Sequence, residues 1–389
     1  MTARRRALLA AAIAAAAGVA TAVATAVAVA LVPPAAHAAA PAPRLAYATA
    51  RWARFRVEPR FVAPGPPIDG RAVRGKRVAV VPLASALPYQ QLVGAGLRAA
   101  ARRVGIVLEE QPADGFAAQW AAGVERAVAA KADLIALVGA PDPLALQPQL
   151  RWARAARIPV VVADLYDEGT PPTPNVTARM DLAGRAAQRL AADVEIAWSR
   201  GRAATLVVAS GQTPTTAGRI AALQSEYASV CGAGCSTTVV TVPLGQWSSR
   251  IEPAVRAALL ADPAITLVHA VADGMAPFVV AGIKAAGAER RVRIGTVDGS
   301  PAVLAWIASG TDGGLVLFDV GTSLAWHGWA DLDVILRALL RQPVPRSQNL
   351  PLRVFDRTNV AAAGAPPRPG QGYGAAYAAG YERLWGLAP

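Results

Sequence analysis

The sequence predicts an α/β protein built from two doubly wound lobes, each a parallel sheet covered by helices. Short uninterrupted runs of Val, Ile and Leu alternate with helical patterns, which is typical of parallel strands buried on both faces. This series occurs twice in succession, which favours two lobes over one long sheet. With 389 residues and 54% apolar content, the chain has enough material for two packed cores.

The first series begins at residue 77 with the sequence RVAVVP. Its predicted strands are 77–82, 106–109, 134–138 and 159–163, and its predicted helices are 89–104, 116–130 and 144–156. In the second series the predicted helices are 181–199, 216–230, 249–260 and 275–286, and the predicted strands are 205–209, 238–242, 267–270 and 292–297. A last helix, which ends near Ser309, follows the sequence TVDGSP and buries its apolar side chains.

The first 38 residues have the three parts of an export signal. Arginines at positions 4–6 precede an apolar run over 7–32, and Ala-His-Ala at 36–38 supplies the small residues of a cleavage site. We therefore predict export to the periplasm or the cell surface, with cleavage after Ala38. Because about 20 apolar residues can span a bilayer, an uncleaved membrane anchor stays open. The choice between Sec and twin-arginine export also stays open.

Two further segments flank the lobes. Residues 39–76 are rich in Pro, Ala and Arg with little periodicity, which indicates a linker or an arm ahead of the first lobe. Residues 361–389 form a tail that starts with a Pro/Gly-rich piece. Within that tail, the pattern over 377–385 predicts a short amphipathic helix.

Charge and cysteine content narrow the class of protein. The formal net charge is +13, and removal of the three signal arginines leaves +10. The remaining arginines are scattered over polar helix faces, which is typical of a solvated surface, so no nucleic-acid partner is predicted. Cys231 and Cys235 lie in the sequence CGAGC without neighbouring histidines. Because export leads to an oxidising compartment, we predict a disulfide here; no metal site and no cofactor are predicted anywhere.

Four carboxylates come at or just past the ends of predicted buried strands: Asp164, Asp273, Asp298 and Asp319. In a parallel sheet, small ligands bind outside the carboxyl ends of the strands. Because a carboxylate can accept hydrogen bonds from neighbouring hydroxyls, we predict a polyhydroxylated ligand between the lobes. Asp298 taken alone also fits a simple helix cap ahead of Pro301.

Aromatic residues stand at matching places, namely Tyr89, Trp247 and Phe318. The face of an aromatic ring can cover the apolar C–H side of a sugar ring, which supports the same ligand class. Each aromatic residue taken singly also fits an ordinary core position.

From residue 77 to residue 360 the chain resembles the type I periplasmic binding proteins of the ribose/galactose class, the solute receptors of ABC importers. The resemblance depends on the order and spacing of several short motifs. These are Pro88-Tyr89, IPVVVAD ending at Asp164, Gly184-Arg185, WSSR from Trp247, ADGMA around Asp273, IGTVDG around Asp298, and VFDRTNV with the final tail helix.

This resemblance implies two lobes that are joined by three strands and close on a ligand. It places the first lobe at 77–178 plus 320–347, and the second lobe at 179–319 plus 348–360. The ligand contacts that it implies are Tyr89, Asp164, Arg219, Trp247, Asp298 and a late polar contact at Asp319. Arg219 could instead form a structural ion pair with Asp298 or Asp319.

The chain departs from the family pattern at several ligand-contact positions. Leu87, Leu165 and Ala272 stand where ribose receptors carry asparagine, arginine and asparagine, and Arg179-Met180 replaces the usual Asp-Asn. Three polar contacts are thereby lost, so ribose is not the expected ligand. A different monosaccharide, a sugar alcohol or a less polar small molecule fits the remaining residues.

The resulting prediction is an exported, monomeric solute receptor that delivers its ligand to an ABC transporter permease. An enzyme is not predicted, because His269 and His327 lack a nearby nucleophile motif and no phosphate-binding loop is present. An exported carbohydrate-active enzyme stays as an alternative. A two-lobed repressor would need a helix-turn-helix where the signal and the arm lie. A receptor that feeds a membrane signalling partner would use the same lobes and ligand.

Overall fold

A computed structural model describes residues 40–139, 141–211 and 215–387. The predicted export signal at residues 1–38 lies outside these ranges. Within the described residues, no helix combines the length and the apolar character that crossing a bilayer requires.

The first lobe is a five-stranded parallel sheet with the strand order β2-β1-β3-β4-β5. Its strands are β1 (Arg77–Pro82), β2 (Val107–Glu110), β3 (Leu134–Val138), β4 (Val160–Asp167) and β5 (Ala178–Leu182). An arm helix, α1 (Ala42–Arg54), precedes the sheet, and the helices that alternate with its strands are α2 (Pro88–Val104), α3 (Ala117–Ala129) and α4 (Gln147–Ala155). Every residue of β3 and β4 is buried, as expected for strands covered on both faces.

The second lobe is a six-stranded sheet with the strand order β11-β10-β9-β8-β6-β7. Its strands are β6 (Ala204–Ala209), β7 (Ser236–Thr241), β8 (Leu267–Ala270), β9 (Arg293–Asp298), β10 (Val316–Thr322) and β11 (Leu352–Asp356). Its helices are α5 (Gly184–Trp198), α6 (Thr216–Glu226), α7 (Trp247–Ala261), α8 (Ala276–Ala285) and α9 (Pro301–Ser309). Two later helices, α10 (Leu324–Leu339) and the tail helix α11 (Ala376–Leu384), pack in the core of the first lobe, α10 directly on α2. All strand pairs are parallel except β10 with β11. The predicted fold class, two doubly wound α/β lobes, is thereby confirmed.

Two local predictions were wrong. The predicted helix 181–199 begins at Gly184 instead, because residues 178–182 form the edge strand β5. The charged side chains of Arg179 and Asp181 obscured this strand in the sequence; they form a buried ion pair with 2.9 Å between Nε and Oδ1. Asp319 does not follow a strand end, since it lies in the middle of β10.

The arm contains a helix that the sequence analysis did not predict. Helix α1 packs against α5 of the second lobe, with Ala48 fully buried and the Trp52 indole donating a hydrogen bond to Asp356. Arg51 of this helix lies 3.2 Å from the carboxylate of Asp193 and 3.8 Å from that of Glu226. The arm is therefore part of the folded second lobe.

The tail helix α11 packs on the other lobe, against α10. Its Trp385 is fully buried, stacks on Trp329 at 5.5 Å between ring centroids and donates a hydrogen bond to Asp333. The backbone N–H groups of Ile68 and Gly70 in the arm donate to carbonyls at the end of this helix. The arm and the tail are therefore joined at the first lobe.

Cys231 and Cys235 are linked, with 2.00 Å between the sulfur atoms and 5.7 Å between the Cα atoms. The disulfide closes a short turn between α6 and β7. Cys231 packs in the same buried cluster as Tyr227 and Val230.

The buried carboxyl of Asp193 gives the contact between arm and lobe a pH dependence. Burial and the neighbouring Glu226 raise the pKa of Asp193 to about 7, although Arg51 opposes the shift. An unfolded aspartate has a pKa of about 3.9. Between about pH 4 and pH 7 the folded protein therefore holds a proton that the unfolded chain has released, so stability falls as pH rises through this window.

Asp193→Asn removes this titration, and we expect the free energy of unfolding to fall less between pH 4.5 and pH 7 than it does in the wild type. Urea unfolding at the two pH values measures the difference. The exposed Asp262→Asn serves as the matched control and should follow the wild type. An equal pH dependence in Asp193→Asn and the wild type would contradict the assignment.

Candidate functional site

The candidate site lies where the two lobes face each other. On the first lobe, Tyr89 in the opening turn of α2 contacts His327 in the first turns of α10, with 3.3 Å between Oη and Nδ1. The two rings are perpendicular, at 6.1 Å between centroids. His327 Nε2 faces the carboxylate of Asp164 in an ion pair, and Asp331 lies one helical turn after His327.

Close packing between α2 and α10 fixes the positions of Tyr89 and His327, which form one wall of the site on the first lobe. A Cβ atom at Gly96 would collide with the backbone of Ala325, and one at Gly328 would collide with the backbone of Leu97. The two glycines therefore allow the helices to touch, which brings His327 within reach of Tyr89.

The position of Asp164 depends on an irregularity in β4. The register between β4 and β5 shifts between Val162 and Tyr166, and Asp164 has a φ of +68°. Bulges of this kind re-aim a side chain away from the regular strand alternation. The carboxylate of Asp164 is thereby turned toward α10, and only 6% of the residue is exposed.

On the second lobe, Asp273 and Asp298 follow the ends of neighbouring strands β8 and β9. Asp273 accepts hydrogen bonds from Thr296 Oγ1 at 2.8 Å and from the Ser300 backbone at 2.7 Å, and its own N–H donates to Asp298 Oδ2 at 3.1 Å. Asp298 has a φ of +136° at the end of β9 and is only partly buried. The loop that starts α9 is therefore organised by carboxylates.

Asp319 lies behind this loop and is fully buried. Both of its oxygens accept from the backbone N–H of Gly299, at 3.1 and 3.2 Å. The hydroxyl of Tyr373 fills the space that a side chain at Gly299 or Gly321 would need. In this structure Asp319 holds the loop in place from the inside of the lobe.

Burial dominates the electrostatics of these groups. It raises the pKa of Asp298 and of Asp319 well above the ordinary value, and the charge of Asp273 raises both further. Burial also raises the pKa of Asp273, while hydrogen bonds from Ser300 and Thr296 oppose that shift. The carboxyls of Asp273, Asp298 and Asp319 on the second lobe therefore favour the protonated form or a ligand that donates hydrogen bonds to them.

The charged groups that act on Tyr89 come from both lobes. Burial raises the pKa of Tyr89 well above its ordinary value, followed by the charge of Asp164 on its own lobe and that of Asp298 on the other. Arg219, also on the second lobe, opposes the shift. Tyr89 therefore lies at the meeting point of both lobes.

An ion pair joins the lobes beside this point. Arg219 on α6 donates to both carboxylate oxygens of Asp167 at the end of β4, at 3.0 and 3.1 Å. Asp167 also accepts from the backbone N–H of Gly184, where the chain enters the second lobe. Neither Asp298 nor Asp319, the partners considered from the sequence, takes this bidentate position.

Trp247 lies at the rim of the second wall. Its indole N–H donates to the carbonyl of Val242 at 3.3 Å, and its ring covers Gly274. Leu244, from the same connection, lies next to Gly115 of the first lobe. The connection that carries Trp247 therefore touches the first lobe.

The structure brings most of the predicted ligand-binding residues to the junction of the two lobes. Those at or beside it are Tyr89, Asp164, Arg219, Trp247, Asp273 and Asp298, whereas Asp319 lies behind them. The sequence analysis missed Asp167, His327 and Asp331. The four-residue spacing of His327 and Asp331 was the available signal, since it places both on one face of a helix.

Comparison with known proteins agrees with this architecture. The family model for the periplasmic binding protein domain matches residues 78–326. No curated protein sequence matches the chain. Among solved structures, a glucose-galactose binding protein from Geobacillus stearothermophilus is similar with a TM-score of 0.62 and 18% identity, covering 73% of this chain and 98% of that one.

Two further solved structures share the fold. A solute-binding protein of an ABC transporter from Agrobacterium vitis with bound allitol has a TM-score of 0.64 and 18% identity, covering 74% of this chain and 97% of that one. A carbohydrate transporter from Acidothermus cellulolyticus in complex with myo-inositol has a TM-score of 0.59 and 21% identity, covering 80% and 99%. The resemblance seen in the sequence is confirmed: this chain belongs to the periplasmic binding protein domain family, whose members are binding proteins for transport rather than enzymes.

Proposed function

We propose that the protein is an extracytoplasmic solute receptor that encloses a small polyhydroxylated ligand, a monosaccharide or a sugar alcohol, between its lobes. It then delivers this ligand to the permease of an ABC transporter. The observation that supports the proposal is that polar and aromatic residues of both lobes meet at their junction, where Arg219 of the second lobe pairs with Asp167 of the first and acts on the nearby Tyr89.

The chemistry of the two walls supports this ligand class. Carboxylates accept hydrogen bonds from hydroxyl groups, and an aromatic ring such as that of the partly buried Trp247 can cover the apolar side of a sugar ring. Buried acceptors also reject ligands that cannot pair with them, because each unpaired group costs about 1–3 kcal/mol. The bound allitol and myo-inositol of two similar structures belong to the same class.

The proposed mechanism is hinge closure. A ligand that contacts both walls binds the closed arrangement better than an open one, and it shifts the population toward closure. The closed form then presents both lobes together to a membrane partner. Permease docking is tested by measuring whether ligand-loaded protein stimulates the ATPase activity of a candidate ABC transporter reconstituted in vesicles.

A panel of sugars and polyols should therefore raise the melting temperature, because a ligand that binds only the folded state stabilises it by mass action. A thermal-shift screen followed by calorimetry identifies the ligand. A chain that responds to no monosaccharide, sugar alcohol or cyclitol would contradict the proposed ligand class.

With that ligand in hand, Asp164→Ala and Asp298→Ala should each weaken binding by about 1–3 kcal/mol, the cost of leaving a buried hydroxyl unpaired. This corresponds to a dissociation constant about 5- to 150-fold higher by calorimetry. The exposed Asp262→Ala is the control and should bind as the wild type does. Unchanged affinity in both cleft variants would reject these contacts.

A further inference from the structure

We infer that Asp164, His327 and Asp331 form a binding site for a divalent transition-metal ion such as Zn²⁺ or Mn²⁺. One ligand atom from each of the three side chains lies within 4.8 Å of the others. No short sequence motif predicts this group, because Asp164 is distant in the chain from His327 and Asp331.

The backbone dictates how the three ligands come together. His327 and Asp331 are four residues apart on α10, so they share one helix face. The bulge in β4 turns Asp164 toward that face, where its carboxylate meets Nε2 of His327. A metal with bonds of about 2.0–2.2 Å to N and O ligands holds those ligand atoms about 3–4 Å apart, so an ion enters this group once Asp164 and His327 move apart from their direct contact.

Burial makes an added cation chemically favourable here. Asp331 is fully buried beside the carboxyl of Asp164, and neither of its own carboxylate oxygens accepts a hydrogen bond from a donor in the described part of the chain. Among the described residues, both oxygens of Asp164 are also buried without a hydrogen bond, and Asp164 contacts the imidazole of His327. The contact of His327 with Asp164 therefore leaves Asp331 without a basic partner among the described residues, and buried charges are ordinarily paired or coordinate a metal.

The surroundings of His327 also suit a metal ligand. A histidine that binds a metal through Nε2 donates its Nδ1–H to an outer partner, which fixes the ring. The hydroxyl of Tyr89 lies 3.3 Å from Nδ1 and can accept that hydrogen bond. The contact of Gly328 with α2 holds the helix turn that carries His327 in position.

One imidazole and two carboxylates favour Zn²⁺, Mn²⁺ or a similar ion over Ca²⁺ and Mg²⁺, which prefer oxygen ligands alone. Three protein ligands leave further coordination positions for water or a hydroxyl group. The metal site is argued from residues of the first lobe and does not depend on the polyol proposal. If the protein binds both a metal ion and a polyol, hydroxyl groups of the polyol beside Asp164 reach the open coordination positions of the metal.

The metal-free protein is prepared by dialysis of the full chain against EDTA and then against buffer. Equilibrium dialysis with Zn²⁺ or Mn²⁺, followed by elemental analysis, should give one ion bound per chain, and the melting temperature should rise with the ion. Ca²⁺ and Mg²⁺ at the same concentration should bind at least tenfold more weakly.

His327→Gln and Asp331→Asn should each weaken the affinity for the ion at least tenfold. The exposed Asp262→Asn should leave it unchanged, and circular dichroism establishes that each variant is folded. Because Co²⁺ reports its ligands by absorption, loss of its visible spectrum in His327→Gln gives a second readout that does not depend on stability.

The experiments distinguish failure of the metal site from failure of the proposed polyol binding. If the metal-free protein takes up no ion, or if uptake is equal in both variants and the wild type, the inference is overturned and the two carboxyls share a proton instead. Calorimetry with the polyol ligand in EDTA is run separately. Polyol binding without any metal uptake rejects the metal site alone.

Discussion

Trp385→Ala is expected to lower the free energy of unfolding by about 3–5 kcal/mol, the range for truncating a large buried aromatic side chain. The indole is fully buried and stacks on Trp329 and beside Tyr381, at 5.5 and 5.2 Å between ring centroids. Its N–H also donates to the buried carboxylate of Asp333, which in turn accepts from Arg337. Urea unfolding without ligand measures the loss.

Trp385→Phe separates the two contributions. It keeps the stacked ring but removes the donor to Asp333, so we expect about 1.5–3 kcal/mol, the contribution of a hydrogen bond to a charged group. A loss below about 1 kcal/mol in Trp385→Ala would show that the tail helix is not needed to stabilise the first lobe.

Truncation of Trp385 should also loosen the contact between the arm and the first lobe. The arm reaches the first lobe partly through backbone donors of Ile68 and Gly70, which bond to carbonyls at residues 384 and 385. Helix α1 of the same arm is packed on the second lobe. Loosening the tail helix should therefore also expose residues 66–74 to hydrogen exchange, while α1 keeps its protection.

The lobes could be predicted because their signals are local. Continuous apolar runs such as 134–138 and 77–82 coincide with the observed strands β3 and β1, since a strand buried on both faces must be apolar throughout. Strand β5 was not predicted because its charged residues Arg179 and Asp181 do not look like buried strand residues, although they form an ion pair inside the structure. Helix α1 was not predicted because the Pro- and Ala-rich composition of the arm was interpreted as a linker. Its apolar face consists of Leu45, Ala48 and Trp52, at spacings of three and four residues.

The site could be predicted only in part, for a related reason. Asp273 and Asp298 come directly after strand ends, and topology brings such positions together. Asp167 and His327 gave no comparable signal, because their roles depend on partners far along the chain. Asp319 accepts a hydrogen bond from Gly299 inside the lobe, and its predicted contact with a ligand stays a prediction.

Arg219→Ala is expected to weaken polyol binding by about 1–3 kcal/mol through loss of the closed arrangement. Its guanidinium joins the lobes by two hydrogen bonds to Asp167, whose side chain is 1% exposed. Breaking a buried ion pair costs about 3–5 kcal/mol, and the lower range applies because Arg219 itself is 27% exposed. Calorimetry should show a dissociation constant about 5- to 150-fold higher.

A second variant distinguishes this bridge from direct contact between Arg219 and the ligand. If the ion pair stabilises closure, Asp167→Asn should also weaken binding, and the double variant should lose less than the sum of the two single losses. Small-angle scattering of the ligand-free variants should then show a larger radius of gyration, because the open state gains population. If Asp167→Asn binds as the wild type does while Arg219→Ala is impaired, Arg219 acts on the ligand itself, and closure must be stabilised by other contacts.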